Sequence, residues 1–186
     1  MDKTDLSAKA LVKAEDCVLL IVDVQKKLVP AIPEAAKRID NIVTLIKLAK
    51  IIDLPVLITE QQNLGDTVDE IRSELKDLKP VSKITFSCFG TQEFKKRLAG
   101  HNKKVLLLAG IEAHICVAQT ALEATARYRV QVVGDAVASR APYNCEIALE
   151  RLRQNGITIT STEMLIYEML KEAGTDDFRA VLPLVK

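Results

Sequence analysis

Two short stretches, residues 17–22 (CVLLIV) and 105–109 (VLLLA), are apolar at every position. An alternating strand buries one face. A strand with no polar position must be covered on both faces, as in a parallel sheet held between two helical layers. The segments around these runs carry helical spacing instead. In 34–52, Ile39, Ile42, Val43, Ile46 and Ala49 share one helix face, and after residue 110 Val117, Ala121, Ala124 and Tyr128 do the same. Residues 55–59, 130–133 and 157–160 read as further strands, and 81–86 as a short extended piece. Residues 68–75, 91–98, 144–154 and 163–171 read as helices, with Thr91 capping one and Ser161 or Thr162 another. Residues 1–15 are charged and read as loose or partly helical, and 176–186 leaves room for a helical turn or two before Pro183. Strands alternating with helices predict an α/β fold: a three-layer α/β/α sandwich around a mainly parallel, doubly wound sheet. With no internal repeat, low-complexity tract or linker, residues 1–186 are expected to form a single domain.

Composition narrows the function. A formal charge of +1 spread over 186 residues gives no electrostatic argument for nucleic acid or an anionic membrane. No apolar run reaches the length of a membrane span, and the first residues lack the apolar core of a signal peptide. Cys17, Cys88, Cys116 and Cys145 form no C-x-x-C pair, and His101 and His114 are the only histidines. A structural zinc site is therefore not expected, and reduced thiols in a cytoplasmic protein are. No G-x-G-x-x-G follows the first strand and no P-loop motif occurs, which disfavours a nucleotide binder.

Chemistry concentrates where strands end. Cys116 lies between the run at 105–109, punctuated by Gly110, and the helical pattern that follows. Doubly wound folds bind ligands at that edge, beyond the carboxyl ends of the strands. A helix start favours thiolate. The ordinary alternative is a packed core cysteine. Asp23 ends the first strand. In a common strand order the first strand lies beside the fourth, which would set Asp23 across a crevice from Cys116 as a proton acceptor. An acid at a strand end is also the usual exit into solvent.

Asp23-Val24-Gln25, Ser82-Lys83-Ile84-Thr85-Phe86-Ser87 and Gly110-Ile111-Glu112-Ala113-His114-Ile115-Cys116-Val117 together resemble the three signatures of the isochorismatase-like cysteine hydrolases. Thr59-Glu60-Gln61, Leu64-Gly65 and Thr67-Val68 are similar to the branch of isochorismatase domain-containing proteins. The resemblance implies a triad of Asp23 as general base, Lys83 as positive neighbour and Cys116 as nucleophile. It selects Lys83 from a chain whose lysines otherwise read as surface residues. A cation beside the thiol is expected to depress the Cys116 pKa. The resemblance further implies a cis peptide at Ile111–Glu112, with the N–H groups of Glu112 and Cys116 forming an oxyanion hole. Gln25, Phe86 and Phe89 are candidate pocket residues, although two aromatics beside a loop are more often core.

The departures are informative. Related nicotinamidases carry an Asp-x-His metal site after the second strand, where this chain reads Thr59-Glu60-Gln61-Gln62. No metal and no cofactor are therefore expected. The cysteine, absent from true isochorismatases, favours acyl transfer through a thioester. The expected activity is hydrolysis of a small amide- or ureide-type C–N bond. The alternative is a catalytically weak family member used as an interaction or scaffolding protein. Expected partners are a small-molecule substrate and further copies of the chain in a homo-oligomer. His114 is disfavoured as a Cys–His partner. Cys17 and Cys145 are expected in the core, and Cys88 in an exposed loop.

Overall fold

The computed structural model describes residues 11–77 and 79–185. The expectation for residues 1–10 lies outside the described residues. The described chain forms β1 (Cys17–Val22), α1 (Ala35–Ile51), β2 (Val56–Gln61), α2 (Asp69–Glu74), β3 (Val81–Lys83) and α3 (Gln92–Gly100). It continues through β4 (Val105–Ile111), α4 (Ala118–Ala124), β5 (Arg129–Ala138), α5 (Pro142–Gln154), β6 (Thr158–Thr160), α6 (Thr162–Leu170) and α7 (Asp176–Val181).

The six strands form one sheet in the order β3-β2-β1-β4-β5-β6, and every pairing is parallel. Winding runs outward from β1 through β2 to β3, then restarts on the other side at β4. The reversal falls between β1 and β4, paired from Cys17 with Val105 to Val22 with Gly110.

The apolar runs explain the layers. Successive side chains of a strand point to opposite faces. Cys17, Leu19 and Ile21 join one core with α1, α2, α6 and α7, where Ile42, Ile71, Ile166 and Val181 meet them. Val18, Leu20 and Val22 join the other, with Phe94 of α3, Ala121 of α4 and Leu152 of α5. The result is the three-layer sandwich expected from the sequence.

Three strands outrun their sequence patterns. β2 runs past Thr59 to Gln61. β4 does not stop at Gly110 but continues to Ile111, and β5 runs through Gly134-Asp135 to Ala138. Gly110 is a close approach rather than a breaker. It takes φ +141°, and a Cβ there would stand 2.2 Å from the Val22 carbonyl oxygen. The pairing of β4 with β5 shifts register between Leu108 and Gly110, which absorbs the extra length. Among the caps, the Ser161 hydroxyl accepts from the Met164 N–H at 3.2 Å, whereas the Thr91 side chain makes no capping bond. The tail's extra helix is α7, capped by Thr175 accepting from the Phe178 N–H.

Candidate active site

The reversal point delivers Asp23, at the end of β1, into the interior. It leaves the strand at φ +53° and is fully buried. Its Oδ1 accepts from Thr59 Oγ1 at 2.8 Å, and its Oδ2 accepts from Lys83 Nζ at 2.6 Å. Lys83 ends β3, two strands away, and its side chain is as buried as that of Asp23. A buried ion pair persists only where its remaining hydrogen-bonding capacity is filled. Here Lys83 Nζ also donates toward Gln61 Oε1 at 2.8 Å and the carbonyls of Thr85 and Phe86, each at 3.2 Å. The loop after β3 is thus a carbonyl cradle for the ammonium. It is tied down by Thr85 Oγ1 donating to the Ser87 carbonyl, and by Ser87 Oγ donating to Glu123 Oε2.

Cys116 reaches the same place from β4. It lies within a π-helical turn, Ala113–Val117, that precedes α4, so it is not in the first turn of a regular helix. Its thiol is pushed up to about 12: burial is the main cause, the Asp23 carboxylate adds to it by charge and as a hydrogen-bond acceptor, and Lys83 only partly offsets them. This reverses the sequence expectation of a depressed pKa. The hydrogen bonds of Lys83 are directed to Asp23, Gln61 and two carbonyls, so desolvation and the carboxylate dominate at the sulfur. At rest Cys116 is a thiol beside a carboxylate.

The expected cis peptide is also overturned. Among the described residues no peptide bond is cis, so Ile111–Glu112 is trans. The chain is redirected by Glu112 at φ +59°, and the Glu112 carbonyl then accepts from the Ile115 N–H at 2.9 Å. Trans geometry is favoured by about 3 kcal/mol for a non-proline bond, and a left-handed residue suffices for the turn. With the cis bond goes the geometric argument for an oxyanion hole at the Glu112 and Cys116 amides.

Other sequence candidates land elsewhere. Gln25 is fully buried and spent on backbone: its Nε2 donates to the carbonyls of Gln61 and Gly65, and its Oε1 accepts from the Gln61 N–H. It fastens the Gly65 loop to the end of β2. Phe89 packs edge-on against Phe94, with centroids 5.2 Å apart, inside the layer of α3 and α4. Phe86 is exposed, and its carbonyl belongs to the Lys83 cradle. His114 Nδ1 meets Ser139 Oγ at 2.9 Å and lies 3.2 Å from Glu112 Oε2 without bonding it, so the ring's hydrogen bond is to Ser139.

Cys88 corrects another expectation. It is completely buried, not exposed. Its N–H donates to Thr120 Oγ1 at 3.0 Å, its sulfur lies 3.8 Å from Thr59 Oγ1, and its thiol is pushed up to about 11, chiefly by burial. Cys17 is core, as expected, and Cys145 is half-buried. Sequence reasoning missed Thr59 and Gln61 as partners of the ion pair. A signal was present: they are alternate residues at the end of β2, so both project from one side of the strand that lies between Lys83 and Asp23. Among the described residues, no group of three or more His, Cys, Asp or Glu side chains is placed to hold a metal ion.

The family model for the isochorismatase domain matches residues 17–164. The chain belongs to the isochorismatase-like hydrolase family. It is 37% identical over 177 residues to the secreted isochorismatase effector Isc1 of Phytophthora sojae, covering 91% of this chain and 84% of that protein. It is 33% identical over 176 residues to isochorismatase domain-containing protein 2A of Mus musculus, covering 92% and 84%. Among solved structures, the MAR1 ribonuclease of Caenorhabditis elegans superposes with a TM-score of 0.89 at 29% identity, covering 95% of this chain and 92% of that one. The YcaC gene product of Escherichia coli, described as an octameric hydrolase of unknown specificity, gives 0.88 at 25% identity, with 94% and 89% covered. The family match spans β1 to the start of α6, and so includes Asp23, Lys83 and Cys116. No helix of the described residues is long and apolar enough to cross a membrane.

Proposed function

We propose that this family member is a cysteine hydrolase that cleaves a small amide- or ureide-type C–N bond through a thioester on Cys116. The observation that carries this reading is the Cys116 thiol held against the carboxylate of a fully buried Asp23–Lys83 pair. Such a pair is costly to desolvate and gives little net stability, so a chemical use accounts for it better than a structural one. That weighs against a scaffolding role without turnover.

The thiol is protonated at rest, so attack and proton transfer are coupled. As the sulfur bonds to the substrate carbonyl carbon, Asp23 takes the thiol proton. Lys83 stays protonated and stabilises the carboxylate through the exchange. When the tetrahedral adduct collapses, the C–N bond breaks and Asp23 returns the proton to the departing nitrogen. Water, deprotonated by Asp23, then attacks the thioester, and the acid product leaves with the thiol restored. Assembly into a homo-oligomer is part of the same proposal, supported by the octameric Escherichia coli relative.

A panel of small amides and ureides, read by ammonia release, tests the reading with Cys116→Ala as the blank. The expected result is turnover of at least one compound and none by the variant. Equal release by both proteins would remove Cys116 as nucleophile.

A further inference from the structure

We propose that Gln61 is a positioning residue: it fixes the direction of the Lys83 ammonium and thereby sets the reactivity of Cys116. The proposal rests on the reading of Cys116 as the nucleophile.

An ammonium has three donors and no acceptor. Four oxygens surround Lys83 Nζ: Asp23 Oδ2 at 2.6 Å, Gln61 Oε1 at 2.8 Å, and the carbonyls of Thr85 and Phe86 at 3.2 Å. The two carbonyls are the longest contacts. The orientation of the head group is therefore governed by Asp23 and Gln61. Of these, Asp23 must gain and lose a proton during turnover, so its hold on Lys83 changes from step to step. Gln61 is neutral throughout and its hold does not change.

Gln61 is itself immobilised from three directions. Its Nε2 donates to the Ile84 carbonyl at 2.7 Å, which binds its far end to the loop that carries the Lys83 cradle. Its N–H donates to Gln25 Oε1 and its carbonyl accepts from Gln25 Nε2. It also ends β2, pairing in register with Lys83 of β3. A side chain placed only to fill space needs none of this. A side chain that must present one oxygen to one ammonium needs all of it. Gln62, the next residue, is exposed and provides a control with the same side chain outside the network.

The test uses Gln61→Glu, which keeps the shape and puts a negative charge on the atom that faces Lys83, against Gln62→Glu, which adds the same charge one residue away. Carboxamidomethylation of Cys116 by iodoacetamide is followed by mass spectrometry across pH, with melting temperature measured in parallel. Because it needs no substrate, it stands whether or not the amide panel yields turnover. With part of the Lys83 field cancelled, Gln61→Glu should move the pH profile upward by about half a unit or more, a loss of about threefold in rate at fixed pH. Gln62→Glu should leave the profile in place. If Gln61→Glu does not fold, Gln61→Ala takes its place, with about threefold slower alkylation at fixed pH expected. A melting temperature that falls while the profile stays put would make Gln61 a structural residue only and overturn the proposal. Equal shifts in both Glu variants would reduce it to net charge and overturn it as well.

Discussion

Lys83 shows how burial changes the meaning of a residue type. On the surface a lysine is interchangeable; here its side chain is fully enclosed and faces a carboxylate that is also fully enclosed. Removing one member of such a pair leaves the other charge buried and uncompensated, at a cost of about 3–5 kcal/mol. Lys83→Ala is therefore expected to lower stability by about that amount as well as abolishing turnover, whereas Cys116→Ala should abolish turnover with little loss of stability. Denaturant titration of both variants checks this; equal stability for the two would show that Asp23 tolerates its charge without Lys83. At this scale the sequence was legible in part. Asp23 and Cys116 could be placed by strand ends, but Lys83 could be named only through its motif. Its pairing spans 60 positions, and nothing local in Ser82-Lys83-Ile84 says that its ammonium will be buried.

At the scale of elements, residues 17–22 were legible to the residue, because a strand covered on both faces has no polar position to blur its ends. The limits of β2, β4 and β5 were not: the apolar runs of β2 and β5 break before the strands end, and Gly110 reads as punctuation. Only the neighbouring strand reveals why Gly110 is there. With a Cβ 2.2 Å from the Val22 carbonyl oxygen and 2.7 Å from its nitrogen, any other residue collides with backbone, and the collision falls one residue before Asp23. Gly110→Ala should cost about 3 kcal/mol or more, since sheet backbone cannot step aside as a flexible side chain can. It should also depress turnover in the surviving folded fraction by disturbing the exit of β1. Gly156→Ala provides the contrast: it shares a positive φ but has nothing within 4 Å of its added Cβ. It should cost only the strain of its backbone, about 1 kcal/mol. Chemical denaturation of the two variants checks the ranking, and a smaller loss at Gly110 would mean that the sheet relaxes around it.

The whole molecule carries its thiols in both layers, and this sets its behaviour in alkali. Burial holds Cys17 at about 12, Cys88 at about 11 and Cys116 at about 12, each raised from 9.0. Below the unfolded value both states keep these protons and the thiols contribute no pH dependence. As pH rises past about 9, the unfolded chain releases them while the folded chain retains them, so the folded state binds more protons and stability falls with pH. The loss continues until the folded thiols themselves ionise. Melting temperature should therefore be nearly flat from about pH 7.5 to 8.5 and decline above about 9. Lysines and tyrosines also ionise in alkali, so the thiol share must be isolated. Cys17 serves for this, because it lies in the layer of α1 and α6, its sulfur bonds the Lys13 carbonyl at 3.1 Å, and it takes no part in the proposed chemistry. Cys17→Ala should start from a lower melting temperature near neutrality and then lose less of it between about pH 9 and 11, so that the two curves converge. Parallel curves would show that the Cys17 thiol titrates alike in the folded and unfolded chains, against the burial that the structure gives it.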